Sequence, residues 1–526
     1  LNIQMTSIDP EDPFIYENLQ GLRTPQGLFQ IEAETNFKVC RKVQPKSLEQ
    51  LSAVVAIARP GALDFADQYA TYSASGVFQL VHDFFKDELS YTGGIPLYQE
   101  QLMKMAVRLG FTLDESEQLR RIVGKKKVDQ MPAWQGKIRQ KVTEQNLDPA
   151  IGDVLWKVAE DSANYSFNKS HSISYAILAA WTIYLKFKYP HEFFLALLRL
   201  SKFEPDSHQE INKISKELVF FDIKLLPPDL AKSSLDFKIE DGNIRFGLNS
   251  IKGVSEKTLQ SLQNFRETTT PTKFDIFISA KQAGINIGVL SSLIQAGTLG
   301  SYTHRRSRLV LEAQAFNVLT DKEKKFACSV GPKYDYDILN IISECAFKAQ
   351  SLNESGKPFM NEKRKITFKK KYDEYKKIYE QNKNYEKFAN WVFENRLLGY
   401  TPTIRLKTIF QQSECTFTDT LEFHSAFKED RIKMIGVIDD VYKGKTKKSN
   451  STFYRFQLKD EVGSISAMFL DGGKHQRLTE YLEDGLKIPE KESIVVFTGR
   501  KGDDVLWIEN IGILDEKIYM KLSDIE

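Results

Sequence analysis

The chain has 526 residues, with 73 Lys and Arg against 70 Asp and Glu, for a net charge of only +3. That length is enough for about three or four domains, and the near-neutral balance excludes a protein that holds nucleic acid by overall charge alone. The apolar run Ile173 to Leu185 is too short for a bilayer span, which needs about twenty apolar residues, and the four scattered cysteines, Cys40, Cys328, Cys345 and Cys415, form no C-x-x-C pair for zinc or a redox dithiol.

In chain order, residues 1–224 read as mostly helical. Ser47 starts an apolar helix that Pro60 stops. Thr112 to Ser116 reads as a helix start with acids in its first turn; that helix carries Leu119, Ile122 and Val123 on one side and Arg120 and Arg121 beside them. Charge is concentrated locally. Residues 119–141 hold eight Lys or Arg, among them Lys125, Lys126 and Lys127, and one Asp. About fifty residues further on, Phe167-Asn168-Lys169-Ser170-His171-Ser172 runs into the apolar helix. Lys169 and His171 then stand at a helix start, where free amides and the dipole favour an anion. Two such clusters are the footprint of one polyphosphate or nucleic-acid surface.

Pro227-Pro228 opens a second pattern, with short strands at residues 237–239 and 244–246. Ile251-Lys252-Gly253-Val254-Ser255 forms a turn before a helix, so Lys252 and Gly253 are candidate phosphate contacts; Leu293 to Leu299 is the expected second half of a tandem helix-hairpin-helix domain over 225–320. Residues 321–430 read as a helical linker. In it, Asn361 to Phe388 is a charged helix packed through a tyrosine stripe that includes Tyr372 and Tyr375. The one D-x-D, Asp335-Tyr336-Asp337, reads as a surface turn. From Arg431 apolar and polar residues alternate over about five short segments, as a small OB barrel over 431–515 requires, leaving a tail at 516–526. Its loop carries Lys443, Lys445, Lys447 and Lys448, and with Tyr454 and Phe456 it suits single-stranded DNA. The fold class expected is multidomain α+β.

Eight segments stand in the order found in the alpha subunit of bacterial replicative DNA polymerase III, a C-family polymerase, and resemble it. They begin at Gly27-Leu28-Phe29-Gln30-Ile31-Glu32, Ala58-Arg59-Pro60-Gly61-Ala62-Leu63, Gly94 to Gln101 and Leu119 to Lys127. Phe167 to Ser172, Lys188 to Phe193, Leu225 to Asp229 and Ile251 to Val254 complete the series. The resemblance covers residues 25–255 in wording and the rest in architecture. It implies a fingers-to-OB portion without the phosphatase-like domain and palm, whose carboxylates would hold Mg2+ outside this chain. It implies that Arg59, Arg120, Arg121, Lys169 and His171 meet the triphosphate of a dNTP, and that primer-template DNA is a partner. Other implied partners are single-stranded DNA, a separate palm-bearing chain and a sliding clamp, in the cytoplasm, with no membrane. This chain alone is then expected to be inactive. Two other readings stay open: a non-catalytic DNA-binding remnant, and a helix-hairpin-helix repair nuclease, which would need an acidic metal cluster that the sequence does not display.

Overall fold

The computed structural model describes residues 2–124, 130–268, 272–300, 305–353, 355–382, 386–410, 416–446, 450–471 and 478–514. The tail expected at 516–526 lies outside them. The chain divides into two compact units, Leu1–Phe194 and Leu195–Glu526. The sequence pattern places the first break at residue 224. The segment between, including α5 (Ser207–Leu218), belongs to the second unit. It is tied there by His208 Nε2 at 3.0 Å from the Leu397 carbonyl and by Asn212 Nδ2 donating to the Gly399 carbonyl at 2.8 Å.

The first unit is helical around two apolar clusters. Four helices position the site: α1 (Leu48–Ile57), α2 (Gln99–Arg108), α3 (Leu113–Gly124) and α4 (Lys169–Lys188). Helix α1 starts where Ser47 Oγ accepts from the Gln50 amide at 3.3 Å, and it is buried all round from Leu51 to Ile57. Helix α4 lies against it through Ala176, Ala179, Ala180 and Ile183, the three alanines allowing close approach. Their polar seam is satisfied internally: Ser172 Oγ donates to the Ser52 carbonyl at 2.7 Å, and Ser52 Oγ lies 3.1 Å from the Tyr98 hydroxyl. Burying these hydroxyls without partners would cost about 1–3 kcal/mol each, so the seam fixes the depth of α4 against α1.

The second unit begins with a three-stranded sheet. β1 (Leu225–Leu226) runs parallel to β3 (Asn243–Arg245), which pairs antiparallel with β2 (Lys238–Glu240). Helices α6 (Leu259–Arg266), α7 (Lys273–Gln282) and α8 (Ile287–Gln295) follow. They expose an internal repeat. Gly253 and Gly284 both take positive φ, +92° and +85°, and each is followed at the same separation by a serine, Ser261 or Ser292. A Cβ on Gly253 would lie 2.7 Å from Ser292 Oγ, and one on Gly284 3.1 Å from Ser261 Oγ. Each hairpin thus packs its glycine on the other repeat's serine, the mark of a two-fold-like pair. The second hairpin is Ala283 to Asn286, not Leu293 to Leu299, whose first three residues lie within α8. A single 3-10 turn, Leu248–Ser250, precedes the first hairpin in place of a full helix. Gly297 also has positive φ, +80°, so the turn signal in the sequence was equally strong at the wrong place.

Helices fill the segment before the barrel. The long Glu362–Asn382 helix packs through Phe368 and Tyr375, both buried, while the Tyr372 hydroxyl meets Ser343 Oγ at 2.7 Å. Asp337 caps Ile338–Lys348 through the Leu339 amide at 2.9 Å and pairs with Arg308, so the D-x-D has a structural use. Strands β4 (Arg431–Lys445), β5 (Thr452–Lys459), β6 (Ser464–Leu470), β7 (Ile494–Lys501) and β8 (Val505–Ile513) close a barrel in the order β4-β5-β6-β8-β7. Only β6 and β8 are parallel, and β4 shifts register between Ile438 and Asp440 so that one strand serves both neighbours. This is the OB-type topology expected.

Candidate nucleotide and DNA interface

Two helix starts stand side by side in the first unit. The Phe167 amide donates to the Leu97 carbonyl at 3.1 Å and the Gln99 amide to the Phe167 carbonyl at 2.8 Å, a two-residue parallel bridge that aligns α2 and α4. Asn168 caps α4, its Oδ1 accepting from the His171 amide at 2.8 Å. Thr112 and Glu115 cap α3 reciprocally, Thr112 N to Glu115 Oε2 at 2.8 Å and Glu115 N to Thr112 Oγ1 at 3.2 Å. That register turns Arg120 back toward α2, where its Nη1 donates to Gln99 Oε1 at 3.0 Å.

The predicted cations gather here. Arg59 lies over the Phe167 ring, 4.4 Å from its centroid. His171, exposed, has its ring 5.6 Å from Phe167 and 4.1 Å from Tyr175. Lys169 Nζ stands 4.3 Å from the Tyr91 ring and 3.0 Å from Glu49 Oε1, an ionic contact without hydrogen-bond alignment. Arg120 forks onto Glu117 with Nε and Nη2 at 2.6 and 2.7 Å, and Arg121 Nε reaches the same carboxylate at 2.7 Å. The Arg120 bond, then the Arg121 bond, hold the Glu117 carboxyl down at about 2. Lys125, Lys126 and Lys127 lie outside the described residues.

The sequence showed the cations but not their partners. Glu100 rests on the start of α4, its oxygens 3.1 and 3.0 Å from the Lys169 amide, while Asn168 Nδ2 donates to it at 3.0 Å. Glu117 and Glu100 were legible only as ordinary helix-surface acids, because helical spacing does not say which helix a side chain reaches.

In the second unit Lys252 is exposed at the first hairpin, but its amide donates to the Leu397 carbonyl at 3.0 Å and is spent internally. Lys252, Gly253, the start of α8 at Ile287 and Gly288, and Arg396 line a cavity of about 550 Å³. On the barrel, Lys443 and Lys445 end β4 beside Tyr442. Lys447 and Lys448 lie outside the described residues. The aromatic assignment is corrected here. Phe456 is fully buried and Tyr454 packs on the barrel core. Those facing outward are Tyr442, half exposed, and Phe453, 5.9 Å apart, with the Arg455 guanidinium 5.3 Å from the Tyr442 ring. The strand period is two, so the pattern fixed the alternation and left its phase open.

Among the described residues no group of three or more His, Cys, Asp or Glu stands where it could hold a metal ion. The described residues therefore do not fit a Mg2+ site. Nor is any described helix long and apolar enough to cross a membrane.

Cations gathered at paired helix starts, a doubled helix-hairpin-helix and an OB-type barrel define a multidomain protein of mixed α+β class. Residues 1–146 match the bacterial DNA polymerase III alpha subunit finger domain, and residues 222–309 match the helix-hairpin-helix motif. The chain is 30% identical to the DNA polymerase III subunit alpha of Aquifex aeolicus over 99% of its own length and 40% of that protein. It is 26% identical to the Thermus aquaticus subunit over 94% of the chain and 38% of the relative, and 26% identical to that of Campylobacter jejuni over 91% and 38%. The chain is similar to the bacterial DNA polymerase III alpha subunit over the region these matches share, which extends well past residue 255. It spans about two fifths of the length of those relatives.

Proposed function

We propose that this chain supplies the nucleotide-binding and DNA-tracking part of template-directed DNA synthesis, acting with palm carboxylates and Mg2+ that lie outside its described residues. The observation that carries this reading is the convergence of Arg59, Arg120, Lys169 and His171 on the paired starts of α2 and α4. Arginine forks and a helix start are the groups that hold a triphosphate while the phosphoryl centre reacts elsewhere. The helix-hairpin-helix pair and the barrel then follow primer-template and single-stranded DNA through their phosphates and bases.

Primer extension tests this. The chain alone gives no extension, and a palm-bearing chain of the same family restores it. In that complex Arg120→Ala lowers kcat/KM for dNTP by roughly 10- to 100-fold, the loss of a charge-assisted bond of about 1.5–3 kcal/mol, and Arg121→Ala, more exposed, by less. Unchanged nucleotide efficiency with weakened primer binding would move Arg120 to the DNA path. Failure of any palm chain to restore extension would favour the non-catalytic DNA-binding reading.

A further inference from the structure

The anion-binding features of the first unit are already filled by its own carboxylates. Both Glu117 oxygens are taken by Arg120, and Arg121 shares one of them. Glu100 places both oxygens on the Lys169 amide at the start of α4 and takes a further bond from Asn168. These are positions a phosphate group would take, because a guanidinium fork and a helix start accept a carboxylate or a phosphate through the same pair of oxygens. The two carboxylates are joined through one residue: Gln99, next to Glu100, is also a partner of Arg120.

We propose that Glu100 and Glu117 are internal stand-ins for phosphate, holding the start of α4 and the Arg120–Arg121 pair in place until the polyphosphate of an incoming nucleotide displaces them. The inference rests on the nucleotide reading above and adds what sets its affinity and selectivity. Without the stand-ins the adjacent guanidinium groups of Arg120 and Arg121 would repel one another and lose their common orientation. With them, each ligand group must replace a bond already made. A triphosphate carries enough linked phosphates to replace both carboxylates, whereas a single phosphate can replace only one. The site therefore discriminates by the number of linked phosphates, before any contact to the base.

The test uses the whole chain and inorganic tripolyphosphate, with inorganic phosphate as the short comparison, followed by titration calorimetry. Glu117→Gln and Glu100→Gln each remove a competing charge and keep the side chain's size. Each is expected to raise tripolyphosphate affinity by about three- to tenfold, less than a full charge-assisted bond because Glu117 is partly exposed and screened by solvent. Glu34→Gln, which breaks the surface pair with Lys38 at 2.5 Å and changes net charge equally, is expected to leave it unaltered. Equal affinity in wild type and both variants, or an equal gain from Glu34→Gln, would overturn the stand-in proposal and leave the nucleotide reading intact. If neither wild type nor variants bind tripolyphosphate at millimolar concentration, the nucleotide reading itself falls and takes the proposal with it. Thermal unfolding by circular dichroism accompanies each variant. Should Glu100→Gln unfold the start of α4, Glu117→Gln on the outer turn of α3 decides the question alone.

Discussion

The cations of the helical unit and those of the barrel are held in opposite ways. Arg120, Arg121 and Lys169 each face a carboxylate of their own unit. Lys443 and Lys445 have no carboxylate partner among the described residues; Lys443 stands 5.6 Å from the Tyr454 ring. A cation with an internal partner is oriented before its ligand arrives, and the ligand must compete for it. A solvated lysine at a strand end is not oriented and adds mainly salt-dependent attraction. The first arrangement suits recognition of one compact polyanion, the second a tolerant grip on a long one.

The barrel offers the sharpest way to break this comparison, because neighbouring aromatics there divide between fold and ligand. Phe456→Ala removes a fully buried ring from the barrel core and is expected to cost about 3–5 kcal/mol of stability, read as a lowered denaturation midpoint. Phe453→Ala, on the outward face, should leave that midpoint nearly unchanged. It should weaken single-stranded DNA binding by about 1–3 kcal/mol if a base stacks there. A barrel that tolerates Phe456→Ala, or DNA binding indifferent to Phe453, would reverse the assignment of faces.

A smaller effect concerns the lysines. Replacing Lys443 and Lys445 together by Ala should flatten the log–log dependence of single-stranded DNA affinity on salt by about 0.7 for each phosphate no longer neutralised. The fold should be untouched, since both residues end a strand at the surface. An unaltered slope would mean that this end of the barrel serves a protein partner, and the contrast with the helical unit would then be one of partner rather than of grip.

The smallest effect separates the two units by pH. Burial pushes the His208 imidazole down from its ordinary value, and its bond to the Leu397 carbonyl only partly opposes this. A histidine held neutral in the fold contributes stability that is present above its unfolded pKa, about 6.5, and is lost as pH falls through that value toward the lower folded one. The thermal stability of the second unit should therefore fall below about pH 6.5, and His208→Gln should flatten that dependence. The Glu117 pairs, with the carboxyl held at about 2, keep their charge across the same window. A shift confined to the first unit would contradict both assignments.

Much of this was legible in the sequence for a local reason. Ser47, Thr112 and Asn168 announce helix starts because a cap joins residues a few positions apart. The alternation in β5 and β6 announces strands because side-chain period is a property of the backbone. The ordered segments from Gly27 to Val254 pointed to the DNA polymerase III alpha subunit, to which the chain proved similar over nearly its whole length. What the sequence left open was always a relation between distant residues. Phe453 and Phe456, an odd number of residues apart, fall on opposite faces of β5, and only closure of the barrel shows that Phe453 faces outward beside Tyr442. Gly253, Gly284 and Gly297 signal turns alike, and only the packing of Gly253 and Gly284 against Ser292 and Ser261 picks out the doubled hairpin. Arg120 and Lys169 were visible as cations, but the bridge between Tyr98 and Phe167 brings Glu100 to the start of α4, and only that packing shows the charges already answered.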